Sequence, residues 1–124
     1  MSLLLDTHAL LWWLAGERLE DEAVDRVGDP DVLVVVSSAT VWEIALKRAL
    51  GKLRFPGDPG EEALAAGFEP LSVSFAHATR AATLPPHHRD PFDRMLVAQA
   101  QEEGLALVSR DPAFAPYDVS VLTC

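Results

Sequence analysis

Short apolar runs of strand length alternate with segments of helical period, and this alternation constrains the fold more than any other feature. Five runs are rich in Leu or β-branched residues: 2–5, 31–37, 69–73, 105–109 and 119–122. Between them, apolar residues recur at helical spacing in 9–15, 20–27, 41–50, 61–66, 75–84 and 92–103. Strands without a polar face need cover on both sides. The pattern therefore predicts an α/β fold with a mainly parallel sheet, in which the first, second and fourth strands are central.

The length of the chain, 124 residues, predicts a single domain over residues 1–124, because no linker or repeat divides it. Its longest strongly apolar runs, 9–15 and 32–36, fall far short of the roughly 20 residues of a membrane span, so we expect no membrane association. The N-terminus lacks the basic region of a secretory signal. A lone cysteine, Cys124, excludes an internal disulfide and indicates a reducing, cytoplasmic location.

Acidic residues stand where the predicted strands end and the predicted helices begin. Asp6 directly follows the first strand, and Asp111 comes shortly after the fourth. Glu43 lies in the first turn or so of the helix after the second strand, and Asp90 and Asp93 open the last helix. Ligands of open parallel sheets bind beyond the carboxyl ends of the strands. We therefore expect these five carboxylates to share one edge of the sheet.

Each acid also has a purely structural explanation, which the sequence leaves open. Asp6 and Asp90 are suited to cap the helix that follows each of them. Glu43 precedes Lys47 by four residues, the favourable spacing for a helical ion pair. Asp93 fits a capping box but shares a helix face with core-type residues. These separate explanations do not account for all the acids falling at one predicted edge.

Carboxylates gathered within a few ångströms repel one another unless a cation neutralises them. Mg²⁺, with Mn²⁺ as a substitute, prefers oxygen ligands and leaves coordination positions for water and phosphate. Helix N-termini beside the cluster favour a phosphate as well. The sequence therefore predicts metal-assisted phosphoryl transfer or phosphodiester hydrolysis with an activated water. The four histidines, by contrast, have spacings that match no zinc pattern.

The net charge of −9 disfavours general attraction to nucleic acid, but the charge is unevenly spread. Residues 17–31 contain seven acids and two bases, and the five candidate acids contribute a further −5. The rest of the chain therefore carries +1 and is able to receive phosphate.

Two other groups of residues allow more than one interpretation. The loop HHR at 87–89 contacts substrate phosphate or is simply solvated. Trp12, Trp13 and Trp42 can stack on nucleobases, but on apolar helices such side chains more often serve packing.

Four blocks of sequence carry the most specific pattern. They are LLDTHALLW from Leu4, SSATVWEI from Ser37, LPPHHRDPFDRMLVAQA from Leu84 and LVSRD from Leu107. In this order they resemble the PIN-domain nucleases, and specifically the VapC-type toxins of bacterial type II toxin–antitoxin systems. The resemblance implies a three-layer α/β/α sandwich and an acidic, Mg²⁺-dependent ribonuclease site.

The resemblance also implies roles for individual residues. The four family acids, expected to be catalytic and to bind metal, fall on Asp6, Glu43, Asp93 and Asp111. Asp6 and Asp93 are the expected direct ligands, whereas Glu43 and Asp111 bind the metal or orient its water. Further residues are expected to support these acids or contact the substrate: Asp90, Arg94, Ser109 and Thr7. Arg94 suits either a carboxylate or an RNA phosphate.

The function implied is that of an endoribonuclease toxin, homodimeric, cytoplasmic and held inactive by a cognate antitoxin. Two alternatives stay open. A haloacid-dehalogenase-like phosphatase would also place Asp6 after the first strand, but Asp6-Thr7-His8 lacks the second aspartate of its opening motif. A non-catalytic, receiver-like module that binds metal would need an aspartate after the third strand, which ends in Ser72-Val73-Ser74.

Overall fold

Leu- and Val-rich runs form a parallel sheet in the computed structural model, which describes residues 2–124. Within that range the strands are β1 (Leu3–Leu5), β2 (Val34–Ser37), β3 (Glu69–Leu71), β4 (Ala106–Ser109) and β5 (Val121–Thr123). Their order across the sheet is β3-β2-β1-β4-β5, and each neighbouring pair is parallel. The predicted parallel sheet, with the first, second and fourth strands in the centre, is confirmed.

Helices connect these strands, as predicted. Over residues 2–124 they are α1 (Thr7–Leu14), α2 (Asp21–Val27), α3 (Ser38–Ala49), α4 (Pro59–Ala65), α5 (Phe75–Thr83) and α6 (Pro91–Glu103). Helix α3 begins earlier than expected, because the Ser37 hydroxyl at the end of β2 accepts the N–H of Ala39 and caps the helix without an intervening loop. Glu43 consequently lies in the second turn of α3 rather than the first. No helix in the described range is long and apolar enough to cross a membrane.

Alternate residues of β1 point to opposite faces of the sheet and pack in two separate hydrophobic cores, so the fold has three layers. Leu3 and Leu5 pack on one face with buried residues of α1 to α4, such as Ile44. Leu4 points to the opposite face and packs in a core that includes Leu96 of α6. The sheet is therefore covered by helices on both sides, which gives the predicted α/β/α sandwich.

Candidate active site

Asp6 directly follows β1 and caps α1. Its side chain is almost fully buried, and Oδ1 accepts the backbone N–H of Ala9 at 2.8 Å. The Ser109 hydroxyl also donates to this carboxylate, while the Ser109 oxygen accepts the N–H of Asp111 at 3.0 Å. Burial is the main reason that the pKa of Asp6 lies above its ordinary value, and these hydrogen bonds offset only part of that rise. Ser109 thus links two of the predicted acids at the ends of neighbouring strands.

Glu43 is also buried, and both of its carboxylate oxygens have partners. Oε1 accepts the Thr7 hydroxyl at 2.5 Å, and Oε2 accepts the Lys47 ammonium at 2.5 Å. The hydrogen bond to Glu43 is the main reason that the pKa of Lys47 lies above its ordinary value. The ion pair anticipated from the spacing is present, but its acidic end is inside the protein. Thr7 and Lys47 together fix the position of the Glu43 carboxylate.

Asp90 and Asp93 occupy the N-terminus of α6 with different roles. Asp90 Oδ1 accepts the N–H groups of Phe92 and Asp93 at 2.8 and 3.1 Å, so Asp90 is the cap that the sequence allowed. Asp93 Oδ2 lies 2.8 Å from His88 Nε2. Burial first, and then the charge of Asp90, raise the pKa of Asp93 to about 6.

Asp111 completes a group of three candidate metal-binding side chains with His88 and Asp93. A carboxylate oxygen from each aspartate and a ring nitrogen of His88 all lie within 4.8 Å of one another. Asp111 is exposed, and Oδ1 caps the short 3-10 turn Pro112–Phe114 by accepting the N–H of Ala113 at 2.9 Å. These three side chains converge closely enough for one cation to contact all of them.

Arg94 holds the loop that presents His88. Its guanidinium donates to four backbone carbonyls at 2.9 to 3.3 Å, those of Ala81, Leu84, Pro85 and His88. Tyr117 supports the same loop, because its hydroxyl donates to the Pro85 carbonyl at 2.9 Å and accepts the His88 N–H at 2.9 Å. Across the described residues Arg94 forms no ion pair with a carboxylate, and a contact with RNA phosphate stays a prediction.

The predicted acids form two neighbouring groups at one edge of the sheet. Asp111 affects the ionisation of Asp6, and Asp90 and Glu43 both affect that of Asp93. His88 joins the two groups, because its ring nitrogen is close to both Asp93 and Asp111. The sequence predicts for His88 only a place in a loop that contacts substrate phosphate or is solvated. The only feature of the sequence that connects His88 with the acids is its position five residues before Asp93, and this spacing does not reveal where the ring points.

Most of the chain matches a known protein family. Residues 3–119 match the family model of the PIN domain. The chain belongs to the PIN domain family. PIN domains are nucleases, which agrees with the phosphodiester chemistry expected from the acids and favours it over the phosphatase alternative. A search among curated proteins finds no relative that matches.

Solved structures similar to this PIN domain include three toxin–antitoxin complexes. VapBC2 from Rickettsia felis, bound to a DNA fragment from its promoter, has a TM-score of 0.74 at 12% identity and covers 99% of this chain and 98% of that one. A toxin–antitoxin complex from Klebsiella pneumoniae has a TM-score of 0.70 at 22% identity, with 98% and 96% covered. VapBC-5 from Mycobacterium tuberculosis has a TM-score of 0.62 at 24% identity, also with 98% and 96% covered. These similarities confirm the fold.

The side chains at the edge of this PIN domain suit a divalent cation. The candidate donors are carboxylate oxygens and one imidazole nitrogen, and both donor types bind divalent metals. The raised pKa values of Asp6 and Asp93 mean that burial and neighbouring acids disfavour their charged forms. A bound cation would remove that penalty, so these residues fit a divalent metal ion.

Two aromatic rings and an arginine side chain form a stack near Asp6. The His8 ring stacks on Trp12 with centroids 5.6 Å apart, and the Arg110 guanidinium carbon lies 3.7 Å from the Trp12 ring centroid. Arg110 is held there by a 2.8 Å hydrogen bond to the carbonyl of Cys124. We call these three side chains, His8, Trp12 and Arg110, the rim stack. Both rings and guanidinium groups of this kind stack readily on nucleobases.

The raised pKa of Asp93 predicts a pH-dependent stability of the metal-free protein. Because the folded state favours protonated Asp93, its stabilising contribution is fully present below pH 3.8 and is lost as the pH rises through about 6. We expect a loss of about 2 kcal/mol in the free energy of unfolding from this group. Urea unfolding between pH 3.5 and 7 should show the decline in the wild type and a weaker one in Asp93→Asn. Equal pH dependence in the two proteins would contradict the assignment.

Proposed function

We propose that the chain is a Mg²⁺-dependent endoribonuclease. The observation that carries the proposal is the convergence of His88, Asp93 and Asp111 at the sheet edge where Asp6 is also placed. Asp6, Asp93 and Asp111 would hold the metal, with Glu43 bound to it or orienting its water. Bound there, Mg²⁺ or Mn²⁺ would activate a water molecule and stabilise charge on the phosphodiester oxygens.

The residues around these acids position them for this chemistry. Ser109 holds Asp6 with its hydroxyl and the Asp111 backbone with its oxygen, which fixes the separation of two proposed ligands. Thr7 and Lys47 hold Glu43 in place, and Lys47 offsets part of the negative charge that would otherwise repel the substrate phosphate. A preorganised carboxylate needs little rearrangement when the substrate arrives.

RNA is the proposed substrate, and the rim stack supports a single strand as the form that binds. His8 and Arg110 are exposed beside the acidic edge, where a cation can contact a backbone phosphate and a ring can stack on a base. The test uses an RNA oligonucleotide and a DNA oligonucleotide of the same sequence, each end-labelled. We expect internal cleavage of the RNA alone, and cleavage of both at similar rates would contradict the assignment of substrate.

We further propose that this ribonuclease is a cytoplasmic toxin inhibited by a cognate antitoxin. The support is that the similar structures from Rickettsia felis, Klebsiella pneumoniae and Mycobacterium tuberculosis are VapBC or toxin–antitoxin complexes.

We also propose that the chain forms a homodimer. Trp42, Leu46 and Leu50 are exposed at four-residue spacing along α3 and its C-cap, and Phe92 packs edge-on against Trp42. An exposed apolar stripe of this kind is typical of a protein interface.

The proposed toxin role is tested by expressing the chain alone in a bacterial host. We expect growth arrest with fragmentation of cellular RNA, and relief when the small protein encoded beside it is co-expressed. Asp93→Asn is the matched control, since it removes a proposed metal ligand without changing side-chain size. Harmless expression of the wild-type chain, at a level equal to that of the variant and with cellular RNA intact, would contradict the toxin role.

A further inference from the structure

We propose that His88 is a nitrogen ligand of the metal, giving this site a mixed nitrogen and oxygen donor set that favours Mn²⁺ over Mg²⁺. This inference rests on the proposed metal centre and adds a ligand to it. Neither the spacing of the histidines nor the acidic pattern of the sequence assigns this role to His88.

His88 and Asp93 are spaced like two ligands of one ion, and Asp111 lies close to both. His88 Nε2 and Asp93 Oδ2 are 2.8 Å apart, and a carboxylate oxygen of Asp111 lies within 4.8 Å of ligand atoms from both. In a six-coordinate site with bonds of about 2.1 Å, adjacent ligand atoms are about 3 Å apart and opposite ones about 4 Å. His88 and Asp93 therefore match adjacent positions on a single cation.

Contacts to the backbone of His88 and to its ring hold this residue in place. Its backbone N–H donates to the Tyr117 hydroxyl at 2.9 Å, and its carbonyl accepts from Arg94 at 3.3 Å. The ring also meets Phe114 edge-on, with centroids 6.3 Å apart. Nε2 consequently faces Asp93 and Asp111 before any metal arrives, which is the preorganisation that a ligand requires.

The second ring nitrogen leaves Nε2 available for the metal. Nδ1 lies 3.4 Å from the backbone nitrogen of Asp90, longer than a strong hydrogen bond. Nδ1 accepts this long contact from the Asp90 N–H, so one weak hydrogen bond is given up when the ring proton moves to Nδ1 and Nε2 offers its lone pair to the ion. The neighbouring His87 differs, because its ring packs edge-on against Tyr117 with centroids 5.1 Å apart and takes no part in the group of three.

The identity of the donors determines which metal is favoured. Mg²⁺ prefers oxygen ligands and loses its water reluctantly, whereas later divalent ions accept an imidazole nitrogen more readily. A site with His88, Asp93 and Asp111 as donors should therefore discriminate between Mn²⁺ and Mg²⁺ more strongly than a site of carboxylates alone. If His88 instead only donates a hydrogen bond to Asp93, that extra discrimination is absent.

The test uses Mn²⁺ itself as the probe, bound to the full chain without RNA. Pulsed electron paramagnetic resonance of the Mn²⁺ complex should show coupling to a directly bound nitrogen, and labelling the protein with ¹⁵N-histidine should change that coupling. The coupling should persist in His87→Gln and disappear in His88→Gln. In the latter, we expect the Mn²⁺ affinity to fall at least about tenfold, with a smaller change for Mg²⁺.

Three results would overturn the inference, and they separate it from the proposed function. Mn²⁺ that binds without nitrogen coupling leaves the carboxylate centre in place but removes His88 from it. Coupling that survives in His88→Gln assigns the nitrogen to another residue. Failure of the wild-type chain to bind Mn²⁺ at all contradicts the metal centre itself. Where His88→Gln does not fold, the labelled wild-type protein still tests the inference, because a nitrogen coupling that does not change with ¹⁵N-histidine would contradict it.

Discussion

Replacing Asp93 with asparagine should lower the rate of RNA cleavage by more than about a hundredfold while leaving the fold intact. The carboxylate is a proposed direct ligand, and an amide of the same size is neutral and binds a divalent cation much more weakly. Since burial disfavours the charged form of Asp93, the neutral amide should not destabilise the protein at neutral pH. The measurement is the initial rate of cleavage of a labelled RNA, with circular dichroism to compare the folds.

The control for Asp93→Asn is Asp25→Asn, which removes an exposed acid from α2. This second variant changes the net charge by the same amount at a position outside the proposed site, so we expect it to cleave at close to the wild-type rate. If Asp93→Asn also retained wild-type activity, the metal role of Asp93 would be wrong. Equal losses in the two variants would point to net charge rather than to a ligand.

Replacing Arg94 with alanine should lower the free energy of unfolding by about 3 kcal/mol. The guanidinium serves four backbone carbonyls, and alanine leaves these acceptors without that partner. Arg94→Lys should recover only part of the loss, because one ammonium cannot reproduce the planar fork of donors. Urea unfolding of the three proteins provides the comparison. Mn²⁺ affinity should fall as well, since the loop carrying His88 would no longer be held in place.

Arg80→Ala is the matched control for Arg94→Ala. Arg80 pairs at the surface with Glu102 and Gln101, so its removal should cost less than about 1 kcal/mol. A loss of similar size in both arginine variants would show that the carbonyl contacts of Arg94 contribute no more than a surface ion pair. Unchanged stability of Arg94→Ala would contradict the role of Arg94 in holding the loop.

The sheet could be predicted from the sequence because the signals for its strands and for the covering helices lie within short segments of the chain. Each strand is a short apolar run, and each helix has apolar residues at its own period. The same pattern predicts the start of α3 too late, because the apolar residues begin at Val41 while the helix begins at Ser38. The cap that sets this boundary is the Ser37 hydroxyl at the end of a buried strand, and apolar periodicity does not register such a contact.

The gathering of acids at one edge could likewise be anticipated, because parallel strands direct their carboxyl ends the same way. The individual contacts of each acid could not be anticipated in this way. Glu43 and Thr7 are 36 positions apart in sequence, and their hydrogen bond depends on how α1 and α3 pack. The position of His88 depends on Tyr117, 29 positions later, and on Arg94 bonding to carbonyls rather than to another side chain. Such long-range polar contacts leave no periodic signal in a single sequence.

The most direct test of a metal-dependent ribonuclease is the dependence of RNA cleavage on the metal in a purified chain free of any partner. The chain is incubated with a structured RNA in Mg²⁺, in EDTA, and in EDTA followed by excess Mg²⁺. We expect cleavage with Mg²⁺, none with EDTA and recovery on readdition, with Asp6→Asn and Asp93→Asn inactive throughout. Cleavage that continues in EDTA, or persists equally in both variants, would contradict the assignment of these acids to a metal-dependent site.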